Sequence, residues 1–472
     1  MEKDRTLMRI KGLAGQATAT GTPGTSGGRQ SLWDREHRAA TIGLSALAFL
    51  VAFEALAVTT AMPTAARELN GVTLYGLAFA APLAVGIISM TFAGSWSDRS
   101  GPGRPLQVGI LIFVAGLVVV GLAPSMWMLV AGRGVQGLGA GLISVALYVV
   151  IGRRYAEALR PRMFTMLAAA WVLPAIVGPA LAGLVTERLS WRWVFLAVPL
   201  LAVSAGVLLV RTNRALRQRN QAVVISWAQP LWAVVAALGV LVLSLFGERE
   251  LPWWGAGVLL GVGLVAVAVP RLLPGGIWRA AEGLPAVIAM RGFLAAAFVG
   301  AEVFIPLMLS STRGLSASLA GLVLTTAALS WFAGSWFAGR SVVRPITRLR
   351  WGAVLIVVGT LTAALPLIEA VPVAVGMLGW GLAGAGMGMA YPTLSVLTLS
   401  LSAPDEQGAN SSALQINEAV AQSIMLAISG AVFAWLLEVN TTAAYAMSFL
   451  VAAGLGLIGL LCARRIPATV GR

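Results

Sequence analysis

The chain has 472 residues, 58% of them hydrophobic and only 11% charged, against roughly 25% charged in a soluble domain. With a mean hydropathy of +0.87 it cannot clothe itself in water, and a single cysteine, Cys462, and a single histidine, His37, exclude intrachain disulfides and Cys or His metal clusters. The net charge of +15 lies in short Arg clusters between apolar runs, which argues for membrane topology and against a nucleic-acid surface.

Residues 1–38 are polar, with a Gly/Thr/Ser stretch over Gly12–Gly28, the composition of a flexible cytoplasmic tail. The first apolar run, Ala39–Met62, is too long for a signal-peptide core and is followed by more apolar runs, so it is expected to be retained. Runs of about 17–25 apolar residues then recur, each able to cross about 30 Å of hydrocarbon. They predict crossings at 39–63, 75–96, 105–123, 126–151, 163–186, 191–210, 228–246, 251–272, 290–310, 317–339, 351–368, 371–400, 410–436 and 441–463. The expected fold is an all-α membrane protein of about fourteen transmembrane helices, with tight joints at Ala123–Met126, Glu187–Trp191 and Leu367–Val371.

An even number of crossings places both termini on one side. The tails and alternate loops, Arg291 included, carry 27 Lys or Arg. The opposite loops carry 5: Arg67, Arg188, Arg192, Arg249 and Arg313. Arg133 is the one basic residue not counted with a tail or a loop. By the positive-inside rule both termini face the cytoplasm, in a bacterial inner membrane. Trp residues at crossing ends, such as Trp127, Trp191 and Trp278, suit an interfacial belt.

The sequence also repeats. FAGSWSDRS at Phe92–Ser100 is echoed by FAGSWFAGRS at Phe332–Ser341, and Gly132–Gly141 by Gly379–Gly388, at offsets of 240 and 247 residues. Two related six-helix bundles at 39–210 and 290–463 explain both echoes. A linker at 211–289 then carries two extra helices, and 464–472 forms a second cytoplasmic tail.

Charges at membrane depth are costly and by default functional. Glu54, Arg133, Glu302 and Glu418 stand in predicted crossings. Glu54 lies ~13 Å from the outer end of the first crossing and Arg133 ~10 Å from that of the fourth, so the two can meet. The pair either serves a proton cycle or is purely structural. In the second half Trp380 and Ala383 replace Arg133 and Gln136, which confines this polar machinery to the first half. Glu302, near the middle of the ninth crossing, and Glu418, in the inner third of the thirteenth, can face a cavity and attract a cation or titrate. Glu418 can instead be solvated from the cytoplasm. Trp171, Trp331, Trp380 and Tyr391 lie away from crossing ends and form either an aromatic cavity wall or helix packing. Gly137–Gly141 lies inside a crossing without a following Lys-Ser/Thr, so it is no phosphate loop. Nothing resembles a nucleotide-binding domain or a nucleophile–base constellation, so neither an enzyme nor an ATP-driven pump is expected.

Several motifs resemble those of the major facilitator superfamily, in its fourteen-helix drug:proton antiporter branch, over about residues 39–463. Gly94-Ser-Trp-Ser-Asp98-Arg99-Ser-Gly101 is similar to the superfamily's G-x-x-x-D-R-x-G loop, although Pro102-Gly103 stand where basic residues are usual. Leu129-x-x-x-Arg133-x-x-Gln136-Gly137-x-Gly139 resembles the helix-4 motif. Pro174-x-x-x-Gly178-Pro179-x-x-x-Gly183 resembles the antiporter helix-5 motif, with Pro174 and Ala182 in place of usual glycines. Glu54, nine residues before Pro63, stands where the branch usually has Asp.

Each motif has a physical reading. Gly94 permits close helix approach, and Asp98 and Arg99 suit a latch to neighbouring helix ends that breaks when the halves rock, or else a solvated turn. Gly178-Pro179 suits a kink or close packing. The resemblance implies proton-coupled export of small hydrophobic or amphipathic compounds, with Glu54, Arg133 and Gln136 in proton coupling and no cofactor beyond the proton gradient. The expected partners are a small-molecule substrate, protons and membrane lipids, for a monomer that binds no nucleic acid. The alternatives are export of a lipid or dedicated metabolite, import of a nutrient, or a non-transporting receptor.

Overall fold

The computed structural model describes residues 31–71, 74–213, 228–246, 253–315, 317–437 and 439–467. Most of the polar N-terminal tail, part of the central linker and the end of the C-terminal tail lie outside the described residues. Among those described there is no strand. Lipid offers no hydrogen bonds, so an apolar segment must satisfy its backbone internally, and a helix does this without any partner segment.

The helices in chain order are α1 (Arg38–Glu68), α2 (Tyr75–Ser100), α3 (Gly103–Gly121), α4 (Met126–Arg154), α5 (Arg160–Arg188), α6 (Trp191–Leu196) and α7 (Val198–Asn213). The central pair is α8 (Ala228–Phe246) and α9 (Trp254–Leu272). Then come α10 (Leu284–Glu302), α11 (Phe304–Arg313), α12 (Ala317–Arg340), α13 (Pro345–Ala363), α14 (Val373–Ser400), α15 (Gln407–Leu437) and α16 (Thr441–Cys462). Among the described residues eleven helices are long and apolar enough to cross a membrane, and two apolar helices, over Trp191–Gly206 and Gln229–Leu243, are shorter. The chain is a multi-pass membrane protein.

Two predicted crossings are broken, each just upstream of a proline. Pro199 follows the break at Ala197 and Pro306 the break at Val303. A proline donates no backbone hydrogen bond and its ring crowds the carbonyl four residues earlier, here Phe195 and Glu302.

Packing repeats from half to half. In the first half α1 packs on α5 and α7, α4 on α2 and α3, and α3 on α7. In the second α10 packs on α15 and α16, α14 on α12 and α13, and α13 on α16. The α8–α9 hairpin lies against α2. The glycine echo has the same steric cause in both halves. A Cβ on Gly137 would sit 2.5 Å from Pro82 Cα of α2, and one on Gly384 would sit 2.6 Å from Ala327 Cα of α12. Backbone this close cannot yield locally.

Gly137→Ala is therefore expected to lower stability by about 1–3 kcal/mol, the cost of overpacking. Gly134→Ala on the same helix should be neutral or stabilising, because its new Cβ would meet Val85 at an ordinary 3.7 Å. Thermal unfolding of both variants in one detergent checks the contrast.

Candidate functional site

Arg133 and Gln136 stand three residues apart on one face of α4, directed at α1 and α2. The Arg133 guanidinium donates through Nη1 to Glu54 Oε1 and to Gln136 Oε1 (2.7 Å), and through Nε to the Ala78 carbonyl of α2 (3.2 Å). Arg133 and Glu54 are each 5% exposed and Gln136 1%, so three helices close around one buried ion pair. Among the described residues the buried Gln136 amide nitrogen has no partner.

The equivalent place in the second half is filled by apolar packing. Trp380 stacks on Phe298 with ring centroids 4.4 Å apart and is fully buried. The placement of Trp380 on a substrate cavity wall is corrected: of its two readings, cavity wall or helix packing, a fully buried indole stacked on Phe298 is packing. The stack continues from Phe298 to Trp331 (5.4 Å) and from Trp331 to Tyr391 (5.0 Å), and both Trp331 and Tyr391 are only partly buried.

A second correction concerns Arg291. Counted with a loop in the sequence, it lies inside α10 and is 3% exposed. Its Nε donates to Glu418 Oε2 of α15 (2.8 Å), and its Nη1 donates to the Tyr391 carbonyl and Ser395 Oγ of α14, both at 3.2 Å. Its guanidinium lies 3.4 Å from the centre of the Tyr391 ring, and Tyr391 Oη donates to Glu418 Oε1 (2.8 Å). From the first half, Tyr148 Oη accepts from Arg291 Nη2 at 3.4 Å. Glu418 is thus paired, with its side chain 20% exposed. Sequence reasoning missed Arg291 because it started the ninth crossing at residue 290. The Gly283-Leu284-Pro285 helix start, with proline in the first turn, was the signal that would have moved it.

Glu302 ends α10 beside the break at Val303 and is partly buried. It has no ion pair among the described residues, and Pro306 leaves its carbonyl without the usual donor four residues on. Glu302, Phe298 and Arg291 share one face of α10 by their spacing of four and seven.

At the end carrying the basic loops the halves are joined. Asp98 is 3% exposed and accepts from the backbone N–H groups of Gly408 and Ala409, both at 2.8 Å, in the first turn of α15. A carboxylate at a helix N-terminus meets unpaired donors and the positive end of the dipole. Arg153 Nη2 donates to the same carboxylate (3.2 Å). Gly94 allows this approach, since a Cβ there would lie 2.7 Å from the Gly408 carbonyl oxygen. Arg99 is exposed and makes no ion pair among the described residues, so the latch geometry belongs to Asp98, because the side chain one residue on points away from α15. On the other flank Thr165 Oγ1 of α5 donates to the Ser335 carbonyl of α12 (2.8 Å).

The helix-5 motif sits within α5, which runs unbroken through Gly178-Pro179. Added Cβ atoms on Gly178 and Gly183 would meet Phe53 and Thr60 of α1 at an ordinary 3.7 Å, so neither glycine is there to relieve a clash. Pro174 is buried, and the Pro179 side chain lies outside the described set. Trp171, two turns before Gly178, is 46% exposed and stands apart from the other aromatics.

Comparison with known proteins follows the same lines. An uncharacterised MFS-type transporter of Mycobacterium tuberculosis is 28% identical over 401 residues, 80% of this chain and 56% of that protein. This chain thus spans just over half the length of that relative. The Multidrug transporter protein MdtP of Bacillus subtilis is 24% identical over 83% of this chain and 74% of its own. Among solved structures, the human organic anion transporter MFSD10 superposes with a TM-score of 0.66 at 14% identity, over 91% of this chain and 99% of its own. The proton:xylose symporter XylE superposes with 0.64 at 15% identity, over 90% and 94%. The solved structures, at 14 and 15% identity, show the fold alone. The family model for the Major Facilitator Superfamily matches residues 44–426, and the chain belongs to that superfamily.

Proposed function

We propose that this transporter is a proton-coupled exporter of small hydrophobic or amphipathic compounds, of the fourteen-helix drug:proton antiporter type. The observation that carries the reading is the buried cluster of Glu54, Arg133 and Gln136, an ionisable pair at membrane depth in the first half. A carboxylate paired with a guanidinium at membrane depth can exchange a proton when the pair is hydrated from one side and then the other. Glu54 takes up a proton from the outside and releases it inward, and the cycle drives substrate out. Glu302, which has no ion pair among the described residues, suits attraction of a cationic amphiphile, with Trp331, Tyr391, Glu418 and Trp171 as further candidates for the substrate path. The Asp98 latch closes the end bearing the basic loops, which suits a cavity open to the outside, with both termini in the cytoplasm. The eleven long crossings, the two shorter helices and α12 together suit fourteen. MdtP, by name a multidrug transporter, supports the substrate class.

The test is flux in liposomes containing the purified chain. An imposed pH gradient should drive uphill movement of a fluorescent lipophilic cation, and a protonophore should stop it. Flux that ignores the gradient would sink the reading.

A further inference from the structure

The crevice between the two halves at the basic end is lined by Glu157 and Pro161 from the first half and by Ala338, Arg348, Thr393 and Ser400 from the second. Arg348 is 9% exposed, yet among the described residues it has no carboxylate within ion-pair distance. Its Nη1 donates to the Ala338 carbonyl, and its Nε is buried without a partner. A buried arginine is almost always paired, and one neutral carbonyl does not balance a guanidinium. Nη1 is the nitrogen in use, and among the described residues the edge formed by Nε–H and Nη2–H has no partner. That edge is the fork that matches two oxygens of one oxyanion.

From these observations we propose that this crevice binds a phosphate group, held by the Nε–Nη2 edge of Arg348. The position fits. Arg348 lies in the first turn of α13, ~5 Å along from Pro345 at 1.5 Å per residue, the level of lipid headgroups. The exposed Arg162, Arg340 and Arg344 at this end raise the local concentration of phosphate, and basic pockets between membrane helices favour anionic headgroups. Glu157 is the one acid lining the crevice. It is exposed, and it interacts with Arg160. Both halves contribute to the walls, so occupancy favours the arrangement closed at this end. The phosphate comes either from a lipid headgroup or from free phosphate ion, and the experiment separates them.

The full chain is purified in detergent, and its thermal unfolding is followed by tryptophan fluorescence. Phosphatidylglycerol, diacylglycerol and inorganic phosphate are titrated in turn. Phosphatidylglycerol should stabilise wild type and diacylglycerol should not. Inorganic phosphate that displaces the lipid identifies the free ion as ligand, and failure to displace identifies the headgroup. Arg348→Gln should weaken binding about tenfold or more, and Arg348→Lys, which keeps the charge and loses the fork, severalfold. Glu157→Gln should tighten it, and Arg350→Gln, on an exposed neighbour, should leave it unchanged. Undiminished affinity in Arg348→Gln overturns the proposal. If that variant does not fold, unchanged affinity in both Arg348→Lys and Glu157→Gln overturns it equally. Equal stabilisation by diacylglycerol does the same.

Discussion

Glu54→Gln is expected to cut proton-driven transport by about 100-fold or more, the scale on which loss of a proton-transfer group acts. Substrate binding should survive. Glutamine keeps the side-chain length and retains one oxygen to accept from Arg133 Nη1, while Gln136 and the Ala78 carbonyl continue to hold the guanidinium. What disappears is the exchangeable proton. The measurement is substrate-triggered proton movement in liposomes, alongside equilibrium binding of the same substrate to detergent-solubilised protein. Undiminished coupled flux would move the role to Glu302 or Glu418. A pair that is only structural makes a different forecast: poor thermal stability in each single neutral variant, rescued with transport when Glu54 and Arg133 are neutralised together. Proton-driven transport in that double variant would refute the coupling role.

Arg291→Met should have the largest effect on folding. Removing one partner of a buried pair leaves the other charge uncompensated, typically at a cost of about 3–5 kcal/mol. The lower end applies here, because the Glu418 side chain is 20% exposed and keeps its hydrogen bond from Tyr391. The same substitution also removes the cation held over the Tyr391 ring and the bonds to Ser395 and Tyr148. Arg291→Met combined with Glu418→Leu should recover most of the loss, since an apolar replacement of both partners strands no charge. Glu302→Gln is the control. With no ion pair to lose, it should unfold within a few degrees of wild type. Thermal unfolding of the four proteins in one detergent decides the matter, and a double variant no more stable than Arg291→Met would show that the pair is not the reason Arg291 matters.

Much of this architecture was legible in the order of residues alone. A membrane crossing satisfies its backbone within one segment, so a run such as Gly103–Gly121 declares its helix without reference to any other part of the chain. The breaks at Ala197 and Val303, which the predicted crossings ran through, have a local cause too, since Pro199 and Pro306 act on carbonyls four residues away. The echo of Gly132–Gly141 in Gly379–Gly388 announced a repeated packing motif, and the depths of Glu54 and Arg133 announced a meeting that the structure makes.

The tertiary structure decided what hydropathy cannot carry: the rotation of each helix about its axis, and therefore which side chains face one another. Asp98 and Arg99 are adjacent in sequence, yet only Asp98 reaches the amides of Gly408 and Ala409. Glu302 and Glu418 were both read as acids able to face a cavity, with solvation from the cytoplasm as the alternative for Glu418. Glu418 proved to be paired because α10 turns Arg291 toward it, and Glu302, eleven residues further along the same helix, has no ion pair among the described residues. Trp380 became core where a cavity wall was expected, because Phe298 fills the space in front of its ring. Apolar length is a sum along one segment and can be read from that segment. Charge pairing is a property of two helices at a chosen rotation, and only the packed bundle sets it.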